Sequence, residues 1–143
     1  MNTMRTEVWE AEHVIETAAP AGVIWDLFRN VSAWPRWQHE IDKVALHGPF
    51  AAGSRVSIAA PGQPSLQSRL VEVRENAGYL AELSFGGVRV FTDHRIEPAA
   101  NGRTRVVFSV EAFGPACDEI GPAVTACLPA TLRSLAETAE RSS

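Results

Sequence analysis

Hydrophobic and polar positions alternate with a period of two from Val8 to Thr17. Val8, Glu10, Glu12, Val14 and Glu16 take one side, and Trp9, Ala11, His13, Ile15 and Thr17 take the other. This predicts a strand with one acidic, wet face and one buried face. The spacing then becomes helical. Val23, Leu27 and Val31 share a face that Ile24 and Phe28 widen, and Pro20 suits the first turn. Ser32 reads as an N-cap, and Pro35 as an early position of a second, shorter helical turn. Three of the four tryptophans (Trp25, Trp34, Trp37) fall in this stretch. Neither piece is long enough to be stable alone, so both need a concave surface to lie against.

The period of two then returns. Weak alternation predicts a strand over Glu40–His47, ended by Gly48-Pro49. Ser54–Ala60 follows, closed by the turn Pro61-Gly62-Gln63-Pro64, and then Leu66–Glu75. Tyr79–Phe85 places Tyr79, Ala81, Leu83 and Phe85 on one face, and Gly86-Gly87 reads as a two-residue hairpin loop. Val88–Glu97 places Val88, Val90, Thr92, His94 and Ile96 together, and Asn101-Gly102 is a strong hairpin signal. Thr104–Phe113, with Val106, Phe108 and Val110 on one face, closes an antiparallel meander. After Gly114-Pro115, a stripe of Ile120, Val124, Leu128, Leu132 and Leu135 predicts one helix over about Asp118–Glu140, kinked by Pro129.

Composition narrows the class. The chain has 143 residues, 45% hydrophobic and 21% charged, and reads as one domain over residues 1–143 with a single real core. A net charge of −4 argues against a nucleic-acid partner. No apolar run reaches the length of a membrane span, and the first residues do not read as a signal peptide. Cys117 and Cys127 would lie about 15 Å apart along a helix, too far to bridge. Free thiols and a cytoplasmic location are therefore expected. The four histidines, His13, His39, His47 and His94, show no ligand spacing, so no metal is expected, and no motif calls for a cofactor.

The element order is strand, two short helices, about six antiparallel strands and one long helix. A curved sheet wrapped round one helix leaves a gap that side chains, water or a ligand must fill. At this point the chain resembles the SRPBCC superfamily of START-like, helix-grip proteins, and within it the polyketide cyclase/dehydrase and lipid-transport family. The residues that carry the likeness are Ile15 to Pro20, Val23-Ile24-Trp25-Asp26-Leu27-Phe28 and Trp34-Pro35-Arg36-Trp37. Gly48-Pro49-Phe50 with Gly53, the Phe91–His94 strand and the Leu135–Glu140 ending add to it. Asn30 stands where many relatives carry Asp. The resemblance implies an α+β helix-grip fold of about seven strands round the C-terminal helix. It leaves function open among cyclases, dehydratases, lipid carriers, hormone receptors and co-chaperones.

The inward sets and the helix stripe together predict a cavity lined by Val71, Tyr79, Leu83, Val90, His94, Phe108, Val124 and Leu128; Trp34 and Trp37 read either as aromatic caps at its entrance that contact the ligand or as plain packing of the second short helix. His94 reads either as a core histidine held by hydrogen bonds or as a cavity imidazole that orients a ligand or exchanges a proton. Arg69 shares a face with Val71 and Val73, and so either turns inward as a catalytic partner of His94 or snorkels to the rim. His13 is inward by alternation and reads more readily as core, while His39 and His47 are expected to be exposed. The leading expectation is a carrier or sensor of an apolar small molecule such as a lipid, a polyketide or another aromatic ligand, as a monomer or homodimer. A polyketide cyclase/dehydratase-type enzyme is the alternative, and a protein-interaction module the third.

Overall fold

The computed structural model describes residues 8–85 and 87–142. Strand β1 (Val8–Thr17) is followed by helix α1 (Ala21–Arg29) and a 3₁₀ helix over Val31–Arg36. Six more strands follow: β2 (Lys43–His47), β3 (Arg55–Ala59), β4 (Leu66–Arg74), β5 (Gly78–Phe85), β6 (Val88–Pro98) and β7 (Thr104–Phe113). Helices α2 (Cys117–Thr125) and α3 (Leu128–Ser142) end the chain. All seven strands form one curved antiparallel sheet in the order β1-β7-β6-β5-β4-β3-β2. The first strand pairs with the last because β1 and β7 match along their whole lengths, Val8 opposite Phe113 and Thr17 opposite Thr104.

The helices cover one face of this sheet. Helix α1 buries Ile24, Trp25, Leu27 and Phe28, and the 3₁₀ helix adds Val31, Ala33 and Trp34. All of these but Ala33 pack with Leu70, Tyr79, Val106 and Phe108 of the sheet and with Leu132, Leu135 and Ala139 of α3 into the main core. A second, smaller core lies under α2, where Val88, Val90, Val110 and Ala112 meet Cys117. Polar groups tie the far end of α3 to β1, and β7 to the segment between β1 and α1. Thr17 donates to Glu140 at 2.6 Å, and Thr104 donates to the Ala19 carbonyl at 2.7 Å. The opposite face of the sheet carries a chain of ion pairs that includes Arg74–Asp93 at 2.8 Å and Arg95–Glu97 at 3.1 Å.

Several local expectations need correction. The C-terminal helical segment is long as expected, Cys117–Ser142, but the kink expected at Pro129 takes the form of a two-residue interruption just before it. It stops at Thr125 and restarts at Leu128, which puts Pro129 in the first turn of α3. That is where a missing N–H costs nothing and the ring has no earlier carbonyl to strike. Ser32 lies inside the 3₁₀ helix rather than capping it; Asn30 is the cap, and Ser32 donates to the Asn30 side-chain oxygen at 2.8 Å. Asn101 and Gly102 do adopt positive φ, of 60° and 73°. They sit, however, in a wider loop closed by Ala99 N–H on the Arg103 carbonyl at 2.8 Å, not in a two-residue hairpin. Of the Gly86-Gly87 turn, Gly86 lies outside the described residues, and Gly87 has a φ of 78°.

Candidate functional site

The two cores do not meet completely. Between them lies a cavity of about 220 Å³, floored by β5, β6 and β7 and roofed by the junction of α2 and α3. The floor positions opposite that junction carry short side chains, Ala81, Val90, Thr92 and Val110. The roof carries Val124, Thr125, Cys127, Leu128 and Thr131. Chains of this length do not reach across, so the space between sheet and helices stays open. Trp34, Gln38, Glu40 and Ile41 form one side wall, and Ile58 and Ser68 of β3 and β4 complete it. Glu40, Ile41 and Ile58 also border an apolar surface hollow that runs out to Pro64 and Leu66. The cavity thus has a greasy mouth with one exposed carboxylate, Glu40, beside it.

His94 and Tyr79 dominate the deep end. They are directly paired across β5 and β6, and their rings stack at a centroid distance of 3.9 Å and an angle of 11°. Phe108 meets the imidazole edge-on at 4.7 Å, and Trp34 lies nearly parallel to Tyr79 at 5.9 Å. The strand approach that makes this possible depends on Gly78. Its φ is +144°, and a Cβ there would collide with the His94 carbonyl oxygen. His94 Nδ1 lies 3.1 Å from the Tyr79 carbonyl oxygen. Burial pushes the imidazole down to about 4, and its bond to the Tyr79 carbonyl only partly opposes this. Burial likewise pushes the Tyr79 phenol far above its ordinary value. The Cys127 thiol is raised by burial, with the Glu40 carboxylate adding to the effect. At neutral pH the deep end is therefore uncharged.

Of the expected lining, Tyr79, Leu83, Val90, His94, Phe108, Val124 and Leu128 border the cavity. Val71, Arg69 and Trp37 do not, and each has a physical reason. A β-bulge between Leu70 and Glu72 interrupts the alternation of β4. Before it Leu70 points inward, fully buried; after it Val73 does, opposite Tyr79 and against the main core. Val71 is the extra residue, and Arg69 turns to the outer face. There Arg69 donates to Glu82 at 2.8 Å, and Arg89 shares the same carboxylate at 2.7 Å. Those two arginines hold the Glu82 carboxyl below its usual range, Arg89 more strongly. Trp37 is fully buried core, 6.0 Å from Phe28, and its Nε1 has no partner among the described residues.

His13 is half-buried on the inner face of β1 and lies outside the cavity wall. His39 and His47 are exposed, near the Arg36 carbonyl and the Ser57 hydroxyl respectively. Among the described residues no three His, Cys, Asp or Glu side chains gather as a metal would require. No described helix is long and apolar enough to cross a membrane. Some lining residues escaped the sequence reading. Ala81, Thr92 and Val110 belong to the inward alternation sets and were legible there. Gln38 to Ile41 lie in a segment without periodicity, which carries no such signal.

Solved structures of the same fold place this arrangement. A norcoclaurine synthase point mutant from Thalictrum flavum, in complex with a transition-state analogue, superposes with a TM-score of 0.77 at 18% identity, covering 99% of this chain and 100% of that one. The structure of Ara h 8.0201 superposes with a TM-score of 0.76 at 15% identity, covering 94% and 99%. At these identities the likeness is one of fold. No curated protein sequence matches the chain. The family model described as polyketide cyclase/dehydrase and lipid transport matches residues 8–140. The chain belongs to the polyketide cyclase/dehydrase and lipid-transport family.

Proposed function

We propose that this protein binds a compact, uncharged, largely apolar small molecule in the cavity between the sheet and the α2–α3 junction, and acts as its carrier or sensor. The observation that carries this reading is the cavity itself: about 220 Å³, with walls mainly of Val, Leu, Ile and aromatic side chains. An empty apolar cavity of about 150 Å³ is enough to take up benzene, so this one has room for one or two fused rings. A long lipid or an extended polyketide chain would not fit inside it; part of such a ligand would lie along the apolar hollow at the mouth.

The enzymatic alternative asks for polar groups that converge on one bound carbonyl. Arg69 is on the other face of the sheet, so the pair His94 and Arg69 is not available. A base held near 4 is also poorly matched to proton abstraction at neutral pH. Both points favour binding without conversion. An interaction module would show a broad apolar patch, whereas the exposed large hydrophobics among the described residues, Val8, Val14, Leu66 and Phe113, are few.

Native mass spectrometry of the protein as purified, followed by titration calorimetry with one- and two-ring aromatic compounds, tests the reading. Val124→Phe, which puts a phenyl group into the cavity, should leave the protein folded and lower affinity at least about tenfold. Absence of any binding to the native protein, or equal binding by Val124→Phe, would overturn it.

A further inference from the structure

We propose that the cavity selects neutral ligands that carry a hydrogen-bond donor, a phenolic hydroxyl on a one- or two-ring skeleton, and that His94 Nε2 is the acceptor that selects them. The inference rests on the cavity being a ligand site, as proposed above.

The other ring nitrogen of His94 fixes the tautomer. Nδ1 lies 3.1 Å from the Tyr79 carbonyl oxygen. A carbonyl oxygen only accepts, so Nδ1 carries the proton of the neutral ring. The neutral imidazole then presents a bare lone pair on Nε2. Stacking on Tyr79 and the edge-on contact with Phe108 hold the ring in that orientation. Among the described residues, Trp37 Nε1 is the one fully buried side-chain nitrogen or oxygen without a partner. Nε2 is therefore not sealed into the core, and since His94 is part of the cavity wall, Nε2 is open to the cavity.

The other groups around this acceptor set the ligand's chemistry. The Tyr79 phenol is held protonated by burial, and the floor residue Thr92 offers a neutral hydroxyl. Neither is a cation, so a carboxylate at the deep end would meet a lone pair and no positive charge. An ammonium donor would have to leave water without an anion beside His94. A phenol matches both demands, since its ring fits the apolar walls and its hydroxyl donates to Nε2. A ligand of the same shape with no donor would leave Nε2 desolvated and unpaired.

Titration calorimetry with 2-naphthol and with 2-methoxynaphthalene tests this, in the native protein and in His94→Phe, which keeps an aromatic ring and removes the acceptor. The native protein should bind the naphthol at least about tenfold more tightly, and His94→Phe should bind the two alike. Equal affinities in the native protein, or a preference that survives in His94→Phe, would overturn the proposal and leave the apolar cavity standing as a ligand site. If neither compound binds, the ligand-site reading falls and this proposal with it. The ¹⁵N resonances of the native protein's histidines give a second readout that does not depend on the variant folding. Nε2 of His94 should show the shift of an unprotonated nitrogen and move when naphthol is added. A protonated Nε2 at neutral pH would refute the assignment.

Discussion

The inner face of the sheet has two halves, and they are built differently. Under α1, the 3₁₀ helix and α3, large rings close the space: Phe28 touches Trp37, Tyr79, His94 and Phe108 within about 6.3 Å centroid to centroid. Under α2 and its junction with α3, the facing residues are Val, Ala and Thr, and the space stays open. Helix α2 also sits close to β1 at one point, where Gly121 packs on Trp9 so tightly that a Cβ would collide with the indole. The contrast separates two tasks within one layer. The ring-filled half carries the stability, and the small-residue half leaves room for a ligand. His94 stands on the boundary, packed by the first and open to the second.

The sharpest test of that contrast is to remove comparable amounts of side chain on each side. Leu135→Ala, at a fully buried position of the ring-filled half, should destabilise by about 3–5 kcal/mol in urea unfolding, whereas the equal truncation Leu128→Ala on the cavity roof should cost less than about 2 kcal/mol. Similar losses at both sites would end the distinction. Next in size is Gly78→Ala. It combines a positive φ with a backbone collision against the His94 carbonyl, and should cost roughly 2–4 kcal/mol in the same assay. It should also loosen the Tyr79–His94 stack, visible as altered near-ultraviolet dichroism.

The boundary residue should reveal itself through pH. The folded state holds His94 near 4, below its ordinary 6.5, so folding favours the neutral ring. Protonation of the imidazole in the unfolded chain therefore lowers stability as pH falls from about 6.5 toward 4, by on the order of 3 kcal/mol in total, and stability is fully present above about 6.5. His94→Phe should lack this part of the pH dependence, so subtracting its unfolding curve from that of the native protein isolates it. Parallel curves for the two proteins would mean that the imidazole is not desolvated as described. The smallest effect belongs to the outer face: Arg69→Gln, breaking a half-exposed ion pair with Glu82, should change stability by no more than about 0.5 kcal/mol and leave ligand affinity unchanged. A large effect on affinity would return Arg69 to the site.

These expectations differ in how far the sequence alone could have supplied them. His94 was legible as inward because β6 keeps unbroken pairing with β7 from Arg89 to Pro98, so alternation counts correctly along it. Arg69 was not, because one extra residue at Val71 reverses the count within β4, and nothing in Leu66–Arg74 marks the bulge. Trp37 shows a different limit. Its spacing from Trp34 allowed an entrance position, and only packing against Phe28 decided that it is core.

The sequence by itself determined the element order, the antiparallel meander, the inward sets of β5, β6 and β7 and the membership of a helix-grip family. Those follow from period, turn chemistry and local motif, all of which act between near neighbours. Tertiary structure decided which residues of β4 face inward, which atom of His94 is left bare and whether a space remains at all. Each of these depends on side chains far apart in the chain meeting at a distance of a few ångströms, and a difference of one methylene or one residue of register changes the outcome.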